Sequence, residues 1–225
     1  MLSSLRGEYD SLFSEARVNG RYRNIPIDNT DDVHAKAHAE GQMLQMEQVC
    51  ERSMLFRKLL YNEQILDIVE DLIGPNIQLY HDQALHKPAD TGAPVFWHQD
   101  NGYWKCVPAD IVTCWLTLDD VDAANGAMHV IPGLQVKLIE HKKSAESNAL
   151  LETQIQPHIG EIDVIELPAG GVMFHHCQVL HYTPANRTNR KRRALAMHFM
   201  RPGTRTELGA YFQVSFSRPL FRAHI

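Results

Sequence analysis

The run IQLYHDQALHK, residues 77–87, is where the sequence changes from helical to β-rich patterning. After it, short runs rich in β-branched and aromatic residues alternate with Gly, Pro, Asn and Asp, which is typical of strands separated by turns. Six further runs follow, PVFWHQD (94–100), DIVTCWLTLDDV (110–121), GAMHVIP (126–132), EIDVIELP (161–168), GVMFHH (171–176) and RRALAMHFM (192–200). This spacing predicts a mainly β structure, an antiparallel sandwich or barrel.

The sequence before residue 75 has helical patterning. We predict a first helix over 4–18 and a longer, broken helix over 34–61. The clearest helix is NEQILDIVEDLIG, in which Asn62 is a suitable N-cap and Gly74 and Pro75 end the pattern.

The chain has 225 residues, enough for one domain with a sizeable core. We predict a single domain over 1–225, with a helical N-terminal part (1–74), a β core (75–200) and a C-terminal tail (201–225). The polar stretch from about 134 to 160 interrupts the β pattern. We interpret it as a long insertion between strands rather than as a linker between domains.

Composition excludes several classes of partner. With 27 acidic and 22 basic residues the net charge is −5, which argues against a protein that binds nucleic acid by neutralising phosphates. The sequence holds no apolar run of about 18 residues and no apolar segment near its first residue, so neither a membrane span nor a secretory signal is expected. Four scattered cysteines, Cys50, Cys106, Cys114 and Cys177, fit a reducing compartment. These features predict a cytoplasmic protein with a small-molecule partner.

The stretch FWHQDNGYW, residues 96–104, contains a candidate metal site. On a strand, His98 and Asp100 would point to the same face. One imidazole and one carboxylate, joined by a second histidine, form the facial triad of non-haem Fe(II) oxygenases. The alternative is a His–Asp hydrogen bond inside a core, since this two-residue pattern is common.

A second cluster lies in FHHCQVLHYTPANRTNRKRRALAMHFM, residues 174–200. Its histidines His175, His176 and His181 all compete for the role of distal ligand. Arg192 begins a β-rich run, where an arginine inside a barrel could pair with a carboxylate of a co-substrate. The other basic residues of this segment are typical of a solvated turn.

Four pieces of the sequence, spread over roughly residues 60–200, together resemble one family. They are HDQALHKP (81–88), WHQDNGYW (97–104), CWLTLDDVDAANGAMHVIPG (114–133) and HYTPANRTNRKRRAL (181–195). They are similar, in this order, to motifs of the phytanoyl-CoA dioxygenase family of Fe(II)- and 2-oxoglutarate-dependent oxygenases. The sequence departs from the family pattern at Leu134 and Gln135, where a serine and a histidine are expected.

The resemblance implies a fold and a set of site residues. The fold would be a double-stranded β-helix, a cupin-like jelly roll, with N-terminal helices packed on it. His98, Asp100 and His181 would bind iron. Arg192 would bind the distal carboxylate of 2-oxoglutarate. Four further residues would line the pocket for this co-substrate, namely Thr183, Lys87, Trp115 and Gln83.

The resemblance also implies a reaction. A small-molecule substrate would be hydroxylated at an aliphatic C–H by O2 while 2-oxoglutarate is decarboxylated to succinate. A carboxylate at Asp100 favours hydroxylation, whereas a small residue there would leave room for halide as in related halogenases. The alternative is a cupin-like jelly roll that binds a metal or small molecule without oxidation, which would not need Arg192 and Thr183. The sequence does not identify the substrate, and the tail is a candidate contact for a homodimer.

Overall fold

The structure is a computed structural model that describes residues 1–24, 42–144, 151–153, 155, 161–212 and 220–222. The helices within these ranges are α1 (Leu2–Asn19), α2 (Val49–Arg52), α3 (Met54–Leu59), α4 (Glu63–Ile73) and α5 (Asn101–Trp104), with 3-10 turns at Ala123–Asn125 and Leu134–Val136. The strands are β1 (Arg23–Asn24), β2 (Leu44–Glu47), β3 (Gln78–Lys87), β4 (Val95–His98), β5 (Cys106–Val107), β6 (Val112–Thr117), β7 (Met128–Ile131), β8 (His141–Lys143), β9 (Leu151–Thr153), β10 (Asp163–Ile165), β11 (Val172–His176), β12 (Leu180–Thr183), β13 (Arg192–Met200) and β14 (Arg205–Thr206).

Two antiparallel sheets form the framework. The larger has six strands in the order β1-β2-β3-β13-β6-β11, and the smaller has four in the order β10-β7-β12-β4. They face each other, because Trp115 and Ala196 of the larger sheet pack in one buried cluster with Met128 and Val130 of the smaller. The strands switch between sheets along the sequence, as in a double-stranded β-helix, so the predicted fold class is confirmed.

The outer face of the larger sheet is covered by the N-terminal helices. Leu5, Tyr9 and Phe13 of α1 and Val69 of α4 share one core cluster with residues of the larger sheet such as Leu195. All nine residues of the central strand β13 are therefore buried, since one face meets the helices and the other meets the smaller sheet.

Helix α4 begins and ends where the sequence predicts. The side chain of Asn62 accepts a hydrogen bond from the backbone N–H of Ile65 at 3.2 Å, which satisfies one of the free donors of the first turn. Gly74 follows the last helical residue with φ +94°, a conformation that a side chain would disfavour.

The predicted helix over 34–61 is wrong at its centre. Residues 44–47 form β2, which pairs antiparallel with β3, while α2 and α3 follow it as separate short helices. Leu44 and Met46 face the core, whereas Gln45 and Glu47 face the space between the sheets. The segment forms a strand despite its helix-forming composition, because its backbone hydrogen-bonds to β3 and its apolar side chains alternate with polar ones. Residues 34–41 of that prediction lie outside the described residues.

The insertion and the tail are partly described. Within 134–160, β8 and β9 pair as a ribbon, and residues 145–150, 154 and 156–160 lie outside the described ranges. In the tail, β14 pairs with β5, and the ring centre of Phe212 lies 4.6 Å from that of Tyr80. Among the described helices, none is long and apolar enough to cross a membrane.

Candidate active site

His98, Asp100 and His181 meet where two neighbouring strands of the smaller sheet end. Strands β4 and β12 are antiparallel with His181 directly opposite His98. The Oδ1 atom of Asp100 lies 3.6 Å from His98 Nε2 and 3.7 Å from His181 Nε2. One ligand atom from each residue lies within 4.8 Å of the others, and two imidazoles with one carboxylate are the donor set of the iron facial triad.

The backbone brings Asp100 to this site in a different way from the one predicted. Strand β4 ends at His98, and Asp100 has helical dihedral angles, φ −54° and ψ −37°, at the start of α5. The alternation argument for a shared strand face is therefore wrong for Asp100. A tight turn directly after the strand returns its carboxylate to the imidazole of His98.

Backbone carbonyls fix the tautomers of both histidines. His98 Nδ1 lies 2.7 Å from the carbonyl oxygen of Phe96, and His181 Nδ1 lies 3.0 Å from that of Val179. Because a carbonyl oxygen only accepts, each Nδ1 carries the proton and donates it there. In the neutral ring, Nε2 is then the unprotonated nitrogen, which is the state that a metal ion requires.

The electrostatics of His181 and Asp100 favour the metal-binding protonation states. Burial lowers the pKa of His181 to about 3, with His98 acting in the same direction, so His181 is neutral at neutral pH. Burial would raise the pKa of Asp100, but the imidazoles of His181, His98 and His175 hold it well below its usual range. Asp100 is therefore an anion.

A cavity of about 300 Å³ opens beside these residues, between the two sheets. It brings together all but one of the site residues predicted from the sequence, namely His98, Asp100, His181, Arg192, Thr183, Trp115 and Gln83. The exception is Lys87, which is absent from the described cavity wall. Its ammonium donates instead to the carbonyl oxygens of Thr183 (3.2 Å) and Pro184, behind the wall. Burial, aided by the nearby Arg192, lowers the pKa of Lys87 well below its usual value.

Arg192 provides a buried positive charge at one end of the cavity. The residue is 1% exposed, and its guanidinium carbon lies 5.4 Å from the centre of the Trp115 ring. One nitrogen, Nη1, donates to the carbonyl of Gly126 at 2.7 Å. Within the described ranges, Arg192 Nε and the hydroxyl of Thr183 are both buried and have no hydrogen-bond partner. Such donors usually have a partner, so the pair fits the carboxylate of a ligand.

At the other end of the cavity, a polar network joins the predicted Gln83 to three residues that sequence reasoning missed, Gln45, His198 and Thr113. Gln45 donates to Gln83 Oε1, and Gln83 Nε2 lies 3.1 Å from His198 Nε2. The other ring nitrogen, His198 Nδ1, lies 2.8 Å from the hydroxyl of Thr113. Strand alternation could have revealed His198, which lies six positions after Arg192 and hence on the same face of β13.

The remaining candidate residues have separate places. Tyr103 and Trp104, which follow the metal-site turn, both line the cavity. The Tyr103 hydroxyl accepts a hydrogen bond from Leu151 N at 2.7 Å, which connects β9 of the insertion to the site. His175 lies against Asp100, while His176 is absent from the described cavity wall and accepts from Gln178 N at 3.1 Å.

Sequence comparison decides the family. The family model described as phytanoyl-CoA dioxygenase (PhyH) matches residues 7–194. The chain belongs to the PhyH family. This match extends further towards the N-terminus than the resemblance over residues 60–200, and it includes the helices that cover the larger sheet.

Relatives of this PhyH-family chain include proteins with different described substrates. A probable alpha-ketoglutarate-dependent hypophosphite dioxygenase from Stutzerimonas stutzeri is 31% identical over 149 residues, which cover 63% of this chain and 51% of that protein. The human peroxisomal phytanoyl-CoA dioxygenase is 28% identical over 172 residues, which cover 72% of this chain and 51% of that protein. The chain thus spans about half the length of these relatives.

A solved structure supports the fold. The epimerase SnoN, described in complex with Fe3+, alpha ketoglutarate and nogalamycin RO, aligns over 96% of this chain and 90% of its own. The TM-score is 0.67 at 21% sequence identity. The chain therefore has the same overall fold as that protein.

Proposed function

We propose that the chain is a non-haem Fe(II)- and 2-oxoglutarate-dependent dioxygenase that hydroxylates an aliphatic C–H of a small molecule. His98, Asp100 and His181 hold the iron, and Arg192 with Thr183 binds the distal carboxylate of 2-oxoglutarate. The relative from Stutzerimonas stutzeri, described as a probable alpha-ketoglutarate-dependent dioxygenase, supports this assignment. Fe(II), when bound, would activate O2; 2-oxoglutarate would supply two of the four electrons that reduce it, becoming succinate and CO2, and the substrate C–H would supply the other two.

The observation that carries the proposal is the pair of unpartnered donors beside the metal-ligand cluster. Burying an unpaired charge costs on the order of several kcal/mol, because the charge loses its hydration. A protein that only held a metal would have no ligand to offset that cost at the guanidinium. A dicarboxylate that chelates the metal through one end and meets Arg192 through the other would offset this cost. This argument favours the oxygenase over the non-oxidative jelly roll.

The protein's own groups have positioning tasks rather than proton-transfer tasks. The carbonyls of Phe96 and Val179 keep the proton on Nδ1 of the two histidine ligands, so that each Nε2 is free to bind. Trp115 lies under the guanidinium of Arg192 and restricts its direction. Tyr103 and Trp104 line the cavity beside the ligand cluster, where they exclude water from the reacting carbon.

An anaerobic titration tests the proposal. Metal-free protein is titrated with Fe(II) and then with 2-oxoglutarate, and the visible metal-to-ligand charge-transfer band is recorded. We expect a saturable band in the unmutated protein and none in His98→Ala. Stoichiometric iron binding without a band on addition of 2-oxoglutarate would contradict the proposal and favour the non-oxidative jelly roll.

We also propose a cytoplasmic location and a small-molecule substrate. The four cysteines are all free and buried, which suits a reducing compartment. The cavity of about 300 Å³ is of the size that proteins use for small-molecule ligands. A homodimer and the lack of a nucleic-acid partner stay predictions from the sequence.

A further inference from the structure

His175 is buried beside the metal-ligand cluster, and it contacts the oxygen of Asp100 that faces away from the two histidine ligands. Asp100 Oδ1 is the atom near His98 and His181, at 3.6 and 3.7 Å. The second oxygen, Oδ2, lies 3.3 Å from His175 Nε2. The two carboxylate oxygens therefore have different partners.

The chemistry of this contact defines the direction of the hydrogen bond. An ionised carboxylate only accepts, so His175 Nε2 carries the proton and donates it to Oδ2. In the neutral ring Nδ1 is then unprotonated. Among the described residues, that buried Nδ1 has no hydrogen-bond partner. The only hydrogen bond that the His175 ring makes within these residues is therefore the one that Nε2 donates to Asp100.

The carboxylate needs such a donor because the backbone does not hold it. Asp100 lies beyond the end of β4, outside the ladder of the smaller sheet, and its side chain makes no capping bond to the short helix α5. His175 comes from β11 of the larger sheet, where it pairs opposite Thr113. The contact thus connects the turn that carries Asp100 to the facing sheet.

We infer that His175 is a positioning residue that holds Oδ2 of Asp100, so that Oδ1 alone is presented to the metal. Carboxylates bind cations through one oxygen or through both. Without the donor, Asp100 can rotate and present both oxygens, which would occupy a position required by a co-substrate. This inference rests on the proposed function, because it concerns the same iron site.

A second interpretation gives His175 only a packing role. Its ring lies 5.0 Å from that of His181 with 29° between the planes, so it could simply support the ligand by stacking. Two substitutions separate the interpretations. His175→Phe keeps an aromatic ring and removes the donor, whereas His175→Gln keeps an amide donor and removes the ring.

The experiment measures Fe(II) affinity of metal-free protein under anaerobic conditions, and then the position of the charge-transfer band with 2-oxoglutarate. We expect His175→Phe to weaken Fe(II) binding by about 10- to 100-fold, as loss of a partner of a ligand typically does, and to shift the band. His175→Gln should recover most of the affinity and the native band position. His176→Phe is the matched control, since that neighbour lies off the described cavity wall, and it should bind iron like the unmutated protein. Thermal unfolding of each variant without metal checks that the fold is retained.

Several outcomes would overturn the inference. Native affinity and band position in His175→Phe, with impairment in His175→Gln, would assign His175 a packing role. Complete loss of iron in both variants, as in His98→Ala, would make His175 a ligand itself. If the unmutated protein forms no band, the proposed function fails first, whereas a normal band with an unaffected His175→Phe variant overturns only this inference.

Discussion

Arg192 is the residue at which the proposed ligand binding would come at the expense of stability. It is 1% exposed, and within the described residues no carboxylate forms an ion pair with it. Burial lowers its pKa to about 10, which still leaves it charged at neutral pH. A charge in this position is destabilising until an anion binds.

We therefore predict opposite effects on stability and binding for Arg192→Met. The free energy of unfolding of the metal-free protein should be equal to or higher than that of the unmutated protein, because an unpaired charge is removed. The affinity for 2-oxoglutarate should fall by about 3 kcal/mol, roughly a hundredfold, while Fe(II) binds normally. Urea unfolding and calorimetric titration measure the two quantities. An equal loss of iron and 2-oxoglutarate affinity would contradict the assignment of Arg192.

Arg193→Met is the control for that substitution. Arg193 lies on the opposite face of β13, where it pairs with Asp119 at 2.6 Å and with Asp10 at 2.9 Å. Its loss should lower the free energy of unfolding and leave the 2-oxoglutarate affinity of the folded protein unchanged.

Much of the site at this scale could be predicted from residue types and spacing. Residue types and spacing suggested His98, Asp100 and Arg192 but left three histidines open as the distal ligand, and only the family resemblance selected His181. The positions of Lys87 and Asp100 could not be predicted, because they depend on where a strand ends and on which carbonyls lie nearby. The same holds for the carbonyls of Phe96 and Val179, since every residue has one.

At the scale of elements, helix α1 is held on the larger sheet partly by charges. Asp119 accepts hydrogen bonds from the backbone N–H and the Nε of Arg193, both at 2.9 Å, and Arg193 also reaches Asp10 of α1. Burial would raise the pKa of Asp119, but the hydrogen bonds from Arg193 outweigh it and lower that pKa. The folded state therefore favours the ionised carboxylate.

This predicts a pH-dependent stability that Asp119→Asn removes. A carboxylate with a lowered folded-state pKa stabilises the fold above its unfolded pKa of about 4, and this contribution is lost as the pH falls below that value. At neutral pH Asp119→Asn should cost about 1–3 kcal/mol in the free energy of unfolding, and the difference should narrow near about pH 3. Urea unfolding over this pH range measures it. The exposed partner of Arg190, Asp122, supplies the control, because Asp122→Asn should change stability by less than about 1 kcal/mol. A constant difference at every pH would refute the charge argument.

The elements themselves differ in how well the sequence predicts them. Helix α4 has a cap, a stop signal and a regular apolar period, so local information suffices. Strand β2 is short and rich in helix-forming residues, and it becomes a strand only because β3 offers an open edge. Such pairing joins segments that are distant in sequence, and the four-residue apolar–polar alternation of β2 is too short to distinguish it from a helix.

At the scale of the whole molecule, the site connects the two sheets. The proposed metal ligands lie on and beside the smaller sheet, whereas Arg192 belongs to the larger one. A molecule that binds both the metal and Arg192 therefore joins the sheets, and ligand binding should stabilise the fold as a unit.

We predict additive thermal stabilisation by Fe(II) and 2-oxoglutarate. At ligand concentrations about a hundredfold above Kd each should add about 2.7 kcal/mol. For a chain of this size that corresponds to roughly 5–10 °C in Tm per ligand. Anaerobic scanning calorimetry measures the shifts. The Arg192→Met variant should retain the increment from iron and lose the one from 2-oxoglutarate, and retention of both would argue against a ligand that joins the sheets.

Arg192 and Arg193, neighbours on β13, restrict which changes in sequence this chain can accept during evolution. Their opposite tasks depend on which face of the strand each one occupies, and a one-residue insertion or deletion in the segment 184–191 would exchange those faces without altering the arginines. The exposed positions of that segment, 187 and 189–191, should tolerate substitution, whereas its length should not drift. Asn186 should not tolerate substitution, because it is buried and donates to the carbonyl oxygens of Pro88 and Arg190. In an evolutionary library of this segment, length variants and Asn186 variants should be lost, and sequence variants at the exposed positions retained.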